Sequence, residues 1–121
     1  MKYMFLIYSR EQAGGPDPDQ IENIKSRHWS VMKEAKERGI LLAVEGLKST
    51  AMATTVRIQD GKPITLDGPF AETKEQLAGY YILECKDLDE AIGWAGRIPS
   101  SCKGMEGCIE IRPVAELSRK P

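Results

Sequence analysis

The chain contains one histidine, His28, and a distinctive tetrapeptide, Asp67-Gly68-Pro69-Phe70; these carry the residues best suited to chemistry. Imidazole titrates near neutrality, so it can take up and return a proton at physiological pH. A carboxylate beside it would fix its tautomer and stabilise the protonated ring. His28 fills the gap in an apolar series: Ile24, His28, Val31 and Ala35 are spaced four, three and four residues apart. That spacing places them on one face of a helix and aims His28 at protein rather than water. It is then either a satisfied core residue or a functional group at a helix–sheet boundary. Asp67 stands where the chain must bend. Gly68 precedes a proline and is biased away from the right-handed helical region. Pro69 fixes its own φ and donates no backbone hydrogen bond. The Asp67 carboxylate either accepts amide hydrogen bonds within the turn or acts as the acid that meets His28.

Other residues could line a pocket around that pair. Glu45 interrupts an apolar run, where an acid is unusual unless it is paired or faces the rim. Tyr80 and Tyr81 alternate across a strand, so one faces the helices and the other faces away; tyrosine in strands also serves plain packing. Phe70 follows the turn and offers an apolar wall. Arg57 and Arg112 could bind an anion or simply face outward. Glu72, Lys74, Glu75 and Gln76 form a charged connector of the kind that is usually solvated. Cys85, Cys102 and Cys108 form no C-x-x-C and sit in no electropositive motif.

Composition limits the alternatives. A chain of 121 residues is about one domain, long enough for one real core. The net charge of −1 provides no field to draw it to nucleic acid or to an anionic membrane. The opening apolar run is too short to span a bilayer and lacks a cleavage pattern. An odd cysteine count without a secretion signal reads as reduced thiols and a cytoplasmic setting. One histidine cannot build a His-rich metal site, and no metal is expected. There is no P-loop, no dinucleotide fingerprint and no nucleophile elbow, so no cofactor is expected either.

The elements that must position these groups follow from pattern. KYMFLIY, residues 2–8, is a first strand. Asp17 caps a helix with Pro18 at its first position and Gln20 three residues after the cap; it runs to about Arg38, where Gly39 stops it. Residues 40–47 and 54–59 are strands. Asp60-Gly61 is a tight hairpin signal, and residues 63–66 return as a short edge strand. Residues 79–85 are a further strand. Asp87 caps a second helix, with Leu88, Ala91, Ile92 and Ala95 on one face. Residues 108–114 close the sheet, and a polar tail, 116–121, follows the single domain of 1–115. The fold class is α+β: a ferredoxin-like β-α-β-β-α-β order with an extra hairpin, its antiparallel sheet carrying two helices on one face. Residues 2–8 and 80–83 are apolar on both faces, whereas a solvated sheet face should alternate with polar residues. The second face is therefore expected to meet that of a second copy, as a homodimer.

The residues now in view resemble a known family. KYMFLIY, the helix with His28, Glu45-Gly46-Leu47, Ala53 to Arg57, DGPFAETKEQLAGYY, Asp87 to Ala91 and Ile111-Arg112-Pro113-Val114 are similar to the YCII-related proteins, in the subgroup marked by the DGPF motif. The resemblance covers nearly the whole chain. It implies a ferredoxin-like fold assembled as a dimeric α/β barrel, and an active site built from a histidine and an aspartate, here His28 and Asp67. Some relatives occur beside sigma factors of the extracytoplasmic-function type, which implies a regulatory setting with a transcription-regulator partner. Ala78 departs from the pattern, since relatives often have a second glycine before Gly79.

Three functions follow as expectations. The first is an enzyme doing general acid–base chemistry on a small organic substrate without a cofactor, as an isomerase, lyase or hydrolase. The second is a dimer that senses a small molecule without turnover. The third is a purely structural dimer.

Overall fold

A computed structural model of the chain describes residues 1–11, 15, 17–100 and 107–117. Cys102, most of the Gly14-Gly15-Pro16 linker and the end of the polar tail lie outside the described residues.

The element order is β1 (Lys2–Ser9), α1 (Pro18–Glu37), β2 (Leu41–Gly46), a short 3-10 helix (Thr50–Met52), β3 (Thr54–Gln59), β4 (Lys62–Asp67), β5 (Gln76–Glu84), α2 (Leu88–Ala95) and β6 (Gly107–Pro113). Four strands form an antiparallel sheet in the order β2-β5-β1-β6. The β3-β4 hairpin is a separate two-stranded sheet. This is the ferredoxin-like α+β plan with the expected extra hairpin.

Local chemistry sets the boundaries of α1. The Asp17 carboxylate accepts from the backbone N–H of Gln20, and the Gln20 side chain accepts from the backbone N–H of Asp17. This reciprocal capping box satisfies two amides that would otherwise lack partners. Gly39 ends the helix at φ 73°, a left-handed conformation that costs glycine little. The Asp87 carboxylate caps α2 by accepting from the Glu90 N–H.

The core lies between the helices and one face of the sheet. Tyr3, Phe5 and Ile7 of β1, Tyr81 and Leu83 of β5, Val31 and Ala35 of α1, and Ala91 and Trp94 of α2 are buried there. The inward face of α2 is therefore centred on Ala91 and Trp94. Leu88 and Ile92, expected in its apolar stripe, are about half exposed at 52% and 53%. Trp94, which the stripe omitted, claims the core position because it is the largest side chain on the helix. Arg38 and Arg97 lie over its ring, and Glu34 forms ion pairs with both arginines, tying the end of α1 to the end of α2.

The opposite face of the sheet carries Met4, Leu6, Tyr8, Tyr80 and Ile82, all only half-buried in the single chain. β5 begins at Gln76, three residues before the expected start, so the end of the charged connector is strand.

Candidate functional site

The sheet is not equally filled beneath α1. Two rows across β1, β5 and β2 carry large side chains: Tyr3, Leu83 and Leu41, then Phe5, Tyr81 and Val44. The next row is Ile7, Gly79 and Gly46. Two adjacent glycines leave the sheet bare there, under the first half of the helix. Ile21, Ile24 and His28 of α1 overhang this gap without filling it, and a cleft of ≈ 820 Å³ results. That size falls within the roughly 300–1,000 Å³ of small-molecule sites.

The two glycines do different work. A Cβ on Gly79 would lie 2.6 Å from the carbonyl oxygen of Glu45, so β2 packs against bare backbone at this point. A Cβ on Gly46 would meet nothing within 4 Å, since it would enter the open cleft.

His28 stands on the helical wall. Its Nδ1 lies 2.8 Å from the hydroxyl of Tyr81, and that hydroxyl lies 3.4 Å from the carbonyl oxygen of His28. One arrangement uses both contacts: Nδ1–H donates to the tyrosine oxygen, and the tyrosine O–H donates to the carbonyl. It leaves the lone pair on Nε2. Among the described residues Nε2 has no hydrogen-bond partner. The rings stack with centroids 5.8 Å apart. Burial pushes the Tyr81 pKa up to about 12, so the phenol stays protonated. Burial, and then the positive charge of Arg27, holds the His28 pKa below its ordinary value. The resting site is thus a neutral imidazole anchored by a neutral phenol.

The mouth of the cleft is polar. The Glu11 carboxylate accepts from the Thr50 N–H and hydroxyl, both at 2.8 Å, and from the Ser49 hydroxyl at 3.4 Å. The Glu11 N–H donates to the Gln76 side-chain oxygen at 2.8 Å. These bonds tie the end of β1 to the 3-10 helix and to the start of β5.

The structure brings His28 and Tyr81 together and places the other expected residues apart from them. Tyr80 pairs across the strands with Leu6 and Glu45, on the helix-free face. Glu45 shares that face, so its main chain rather than its carboxylate borders the cleft. Asp67 ends β4 on the hairpin, opposite Thr54, and does not line the cleft. Its exposed carboxylate makes no hydrogen bond or ion pair among the described residues. The turn after it is held by backbone instead: Gly68 N–H donates to Ala53, and Thr55 donates to the Gly68 carbonyl. Gly68 has φ +96°, which an L residue adopts only with strain. Phe70 is 78% exposed and borders a second hollow with Met52, Pro69 and Leu77. Arg57 lies on the hairpin opposite Ile64, and Arg112 on β6 opposite Met4. Cys85 is buried and burial pushes its thiol up, away from reactivity.

Sequence reasoning missed the glycine row and the cations of the cleft, Arg10, Lys25 and Lys48. A signal for one of them was present: Lys25 precedes His28 by three residues on the same helix.

Among the described residues, no group of three or more His, Cys, Asp or Glu is placed to hold a metal ion. Among the described residues, no helix is long and apolar enough to cross a membrane.

Residues 1–118 match the model of the YCII-related domain. An uncharacterised protein of Rhizobium meliloti (strain 1021) is 38% identical over 116 residues, covering 95% of this chain and 93% of the relative. The chain belongs to the YCII-related family.

Proposed function

We propose that the cleft binds a small organic molecule and that His28 moves a proton on it. The observation that carries this reading is the 2.8 Å contact between His28 Nδ1 and the Tyr81 hydroxyl. It occupies one ring nitrogen and leaves the other for a ligand. Nε2 accepts a proton from the bound molecule, or from a water held against it. The charge that develops on the ring is held beside the Tyr81 oxygen, which accepts from Nδ1–H in the tautomer that carries the lone pair on Nε2. The proton then returns from Nε2 to a different atom, as in an isomerisation, a lyase reaction or a hydrolysis. A histidine kept neutral at rest is in the correct form to begin.

Asp67 enters this reading as a second candidate for proton transfer. An exposed carboxylate with no partner among the described residues is available to a ligand or to a second copy. A homodimer joined through the face bearing Met4, Leu6, Tyr8, Tyr80 and Ile82 is part of the proposal, because those apolar side chains are only half-covered.

The test is a metabolite library screened by thermal shift on wild type, His28→Asn and Asp67→Asn, with each hit then assayed for turnover. A hit that both wild type and His28→Asn bind but only wild type converts supports the reading. Loss of turnover in Asp67→Asn adds Asp67 to the chemistry. Binding with no product from any hit overturns catalysis and favours a sensing role.

A further inference from the structure

We infer that the ligand of the cleft is an organic carboxylate, its apolar body over the glycine row and its anionic group at the mouth. This deepens the small-molecule reading of the same cleft and rests on it.

The charge distribution carries the inference. Arg10, Lys25 and Lys48 all line the cleft, and none forms an ion pair among the described residues. They come from three different places: the segment after β1, the helical wall and the segment after β2. Two carboxylates stand against them, and neither neutralises them directly. Glu11 is turned to Thr50 and Ser49 by three hydrogen bonds. Glu45 points to the far face of the sheet. The chain as a whole carries a net charge of −1, so an excess of cations here is local. The interior is apolar, walled by Ile7, Ile21, Ile24, Met32, Val44 and Leu77. A ligand with an apolar body and one anionic end matches both regions.

The anion is a carboxylate rather than a phosphate for a structural reason. Tight phosphate sites use free backbone amides at a helix N-terminus. Here the capping box of Asp17 and Gln20 already occupies the Gln20 amide at the start of α1. The donors that remain, Arg10, Lys25 and Lys48, stand on three separate segments and do not form one cradle of amides. Lys25 is three residues before His28, about one helical turn away along the same helix. A ligand whose anionic end meets Lys25 then turns the carbon atoms next to its carboxylate toward the imidazole.

The experiment uses matched probes on the full chain: phenylacetate against phenylacetamide, and hexanoate against hexanamide. Binding is read by calorimetry and by the imidazole signals of His28, the only histidine in the chain. The acids are expected to bind about tenfold more tightly than the amides, the value of one charge-assisted contact. Lys25→Gln with Lys48→Gln should remove about that preference, and salt should weaken the acids alone. Gly46→Leu should abolish binding of both members of each pair by filling the cleft. Amides that bind as well as acids, and move the His28 signals, overturn the carboxylate inference while the small-molecule cleft stands. Acids that still bind Gly46→Leu lie elsewhere and overturn it. Inorganic phosphate that displaces the acids at equal concentration also overturns it, as does failure of every acid to bind saturably.

Discussion

The hydroxyl of Tyr81 lies 2.8 Å from Nδ1 of His28, so a residue of the sheet core fixes the ring of a residue on the helix above. Tyr81 is fully buried, and the strand around it cannot move without disturbing Phe5 and Leu83. The imidazole therefore inherits the rigidity of the core. Tyr81→Phe keeps the packing and removes the hydroxyl alone. It leaves Nδ1 without its partner, which should cost about 1–3 kcal/mol in stability. Nitrogen NMR of the single histidine should change from one dominant tautomer to a mixture. An unchanged tautomer would show that Tyr81 does not orient the ring.

The low pKa of His28 predicts how stability depends on pH. Burial and Arg27 disfavour the charged ring in the folded chain. The unfolded chain therefore binds the proton more readily, and stability must fall as pH drops below about 6.5. The loss levels off once pH is below the folded pKa. His28→Asn removes the titration and keeps a polar side chain near Tyr81. Denaturant melts at about pH 7.5 and about pH 5 should show wild type losing stability relative to this variant. Arg27→Gln should raise the His28 titration midpoint in an NMR titration. A wild type that gains on the variant as pH falls would reverse the sign and remove the argument for a resting neutral ring.

The two glycines under α1 should respond in opposite ways. Gly79→Ala places a methyl group 2.6 Å from a backbone oxygen of β2. Neither strand has a flexible side chain there to yield, so a loss of about 1–3 kcal/mol is expected from overpacking. Gly46→Leu meets open space and should leave the melting temperature within a few degrees, since about 1 kcal/mol corresponds to roughly 4–8 °C in a small domain. Equal destabilisation by both would mean that the cleft closes in solution.

Most of the fold was legible because its signals are local. Asp17, Pro18, Gln20 and Gly39 mark α1 through the capping of its own backbone, and Asp60-Gly61 marks the hairpin. The α2 stripe was less legible. Hydropathy placed Leu88 and Ile92 inward, but core geometry gave the space to Trp94. The site was legible in half. His28 was visible from its interval within an apolar stripe. The choice between Tyr80 and Tyr81 required the strand register, which no local pattern contains. The cleft itself arises from Gly46 and Gly79, which lie far apart in sequence and meet only when β2 pairs with β5. Asp67 shows the opposite limit: its motif is prominent in sequence, yet its carboxylate has no partner among the described residues.

The helix-free face gives the last prediction. Leu6 lies near its centre, beside Tyr80 on one side and Glu110 on the other. The face is apolar at its centre, on β1 and β5, and charged at its flanks, with Glu45 on β2 and Glu110 and Arg112 on β6; a central sheet surface facing solvent would carry polar side chains. In the proposed homodimer a second copy would cover the face by symmetry, placing Met4, Leu6 and Ile82 against their equivalents. Leu6→Glu should then convert a dimer to a monomer, because a carboxylate at a desolvated interface costs several kcal/mol. Sedimentation equilibrium reads the change, and circular dichroism checks that the sheet survives. A wild type that sediments as a monomer at all concentrations refutes the homodimer, as does a Leu6→Glu variant that stays dimeric. His28 and Tyr81 lie on the other side of the sheet, so the tautomer of His28 should be the same in monomer and dimer.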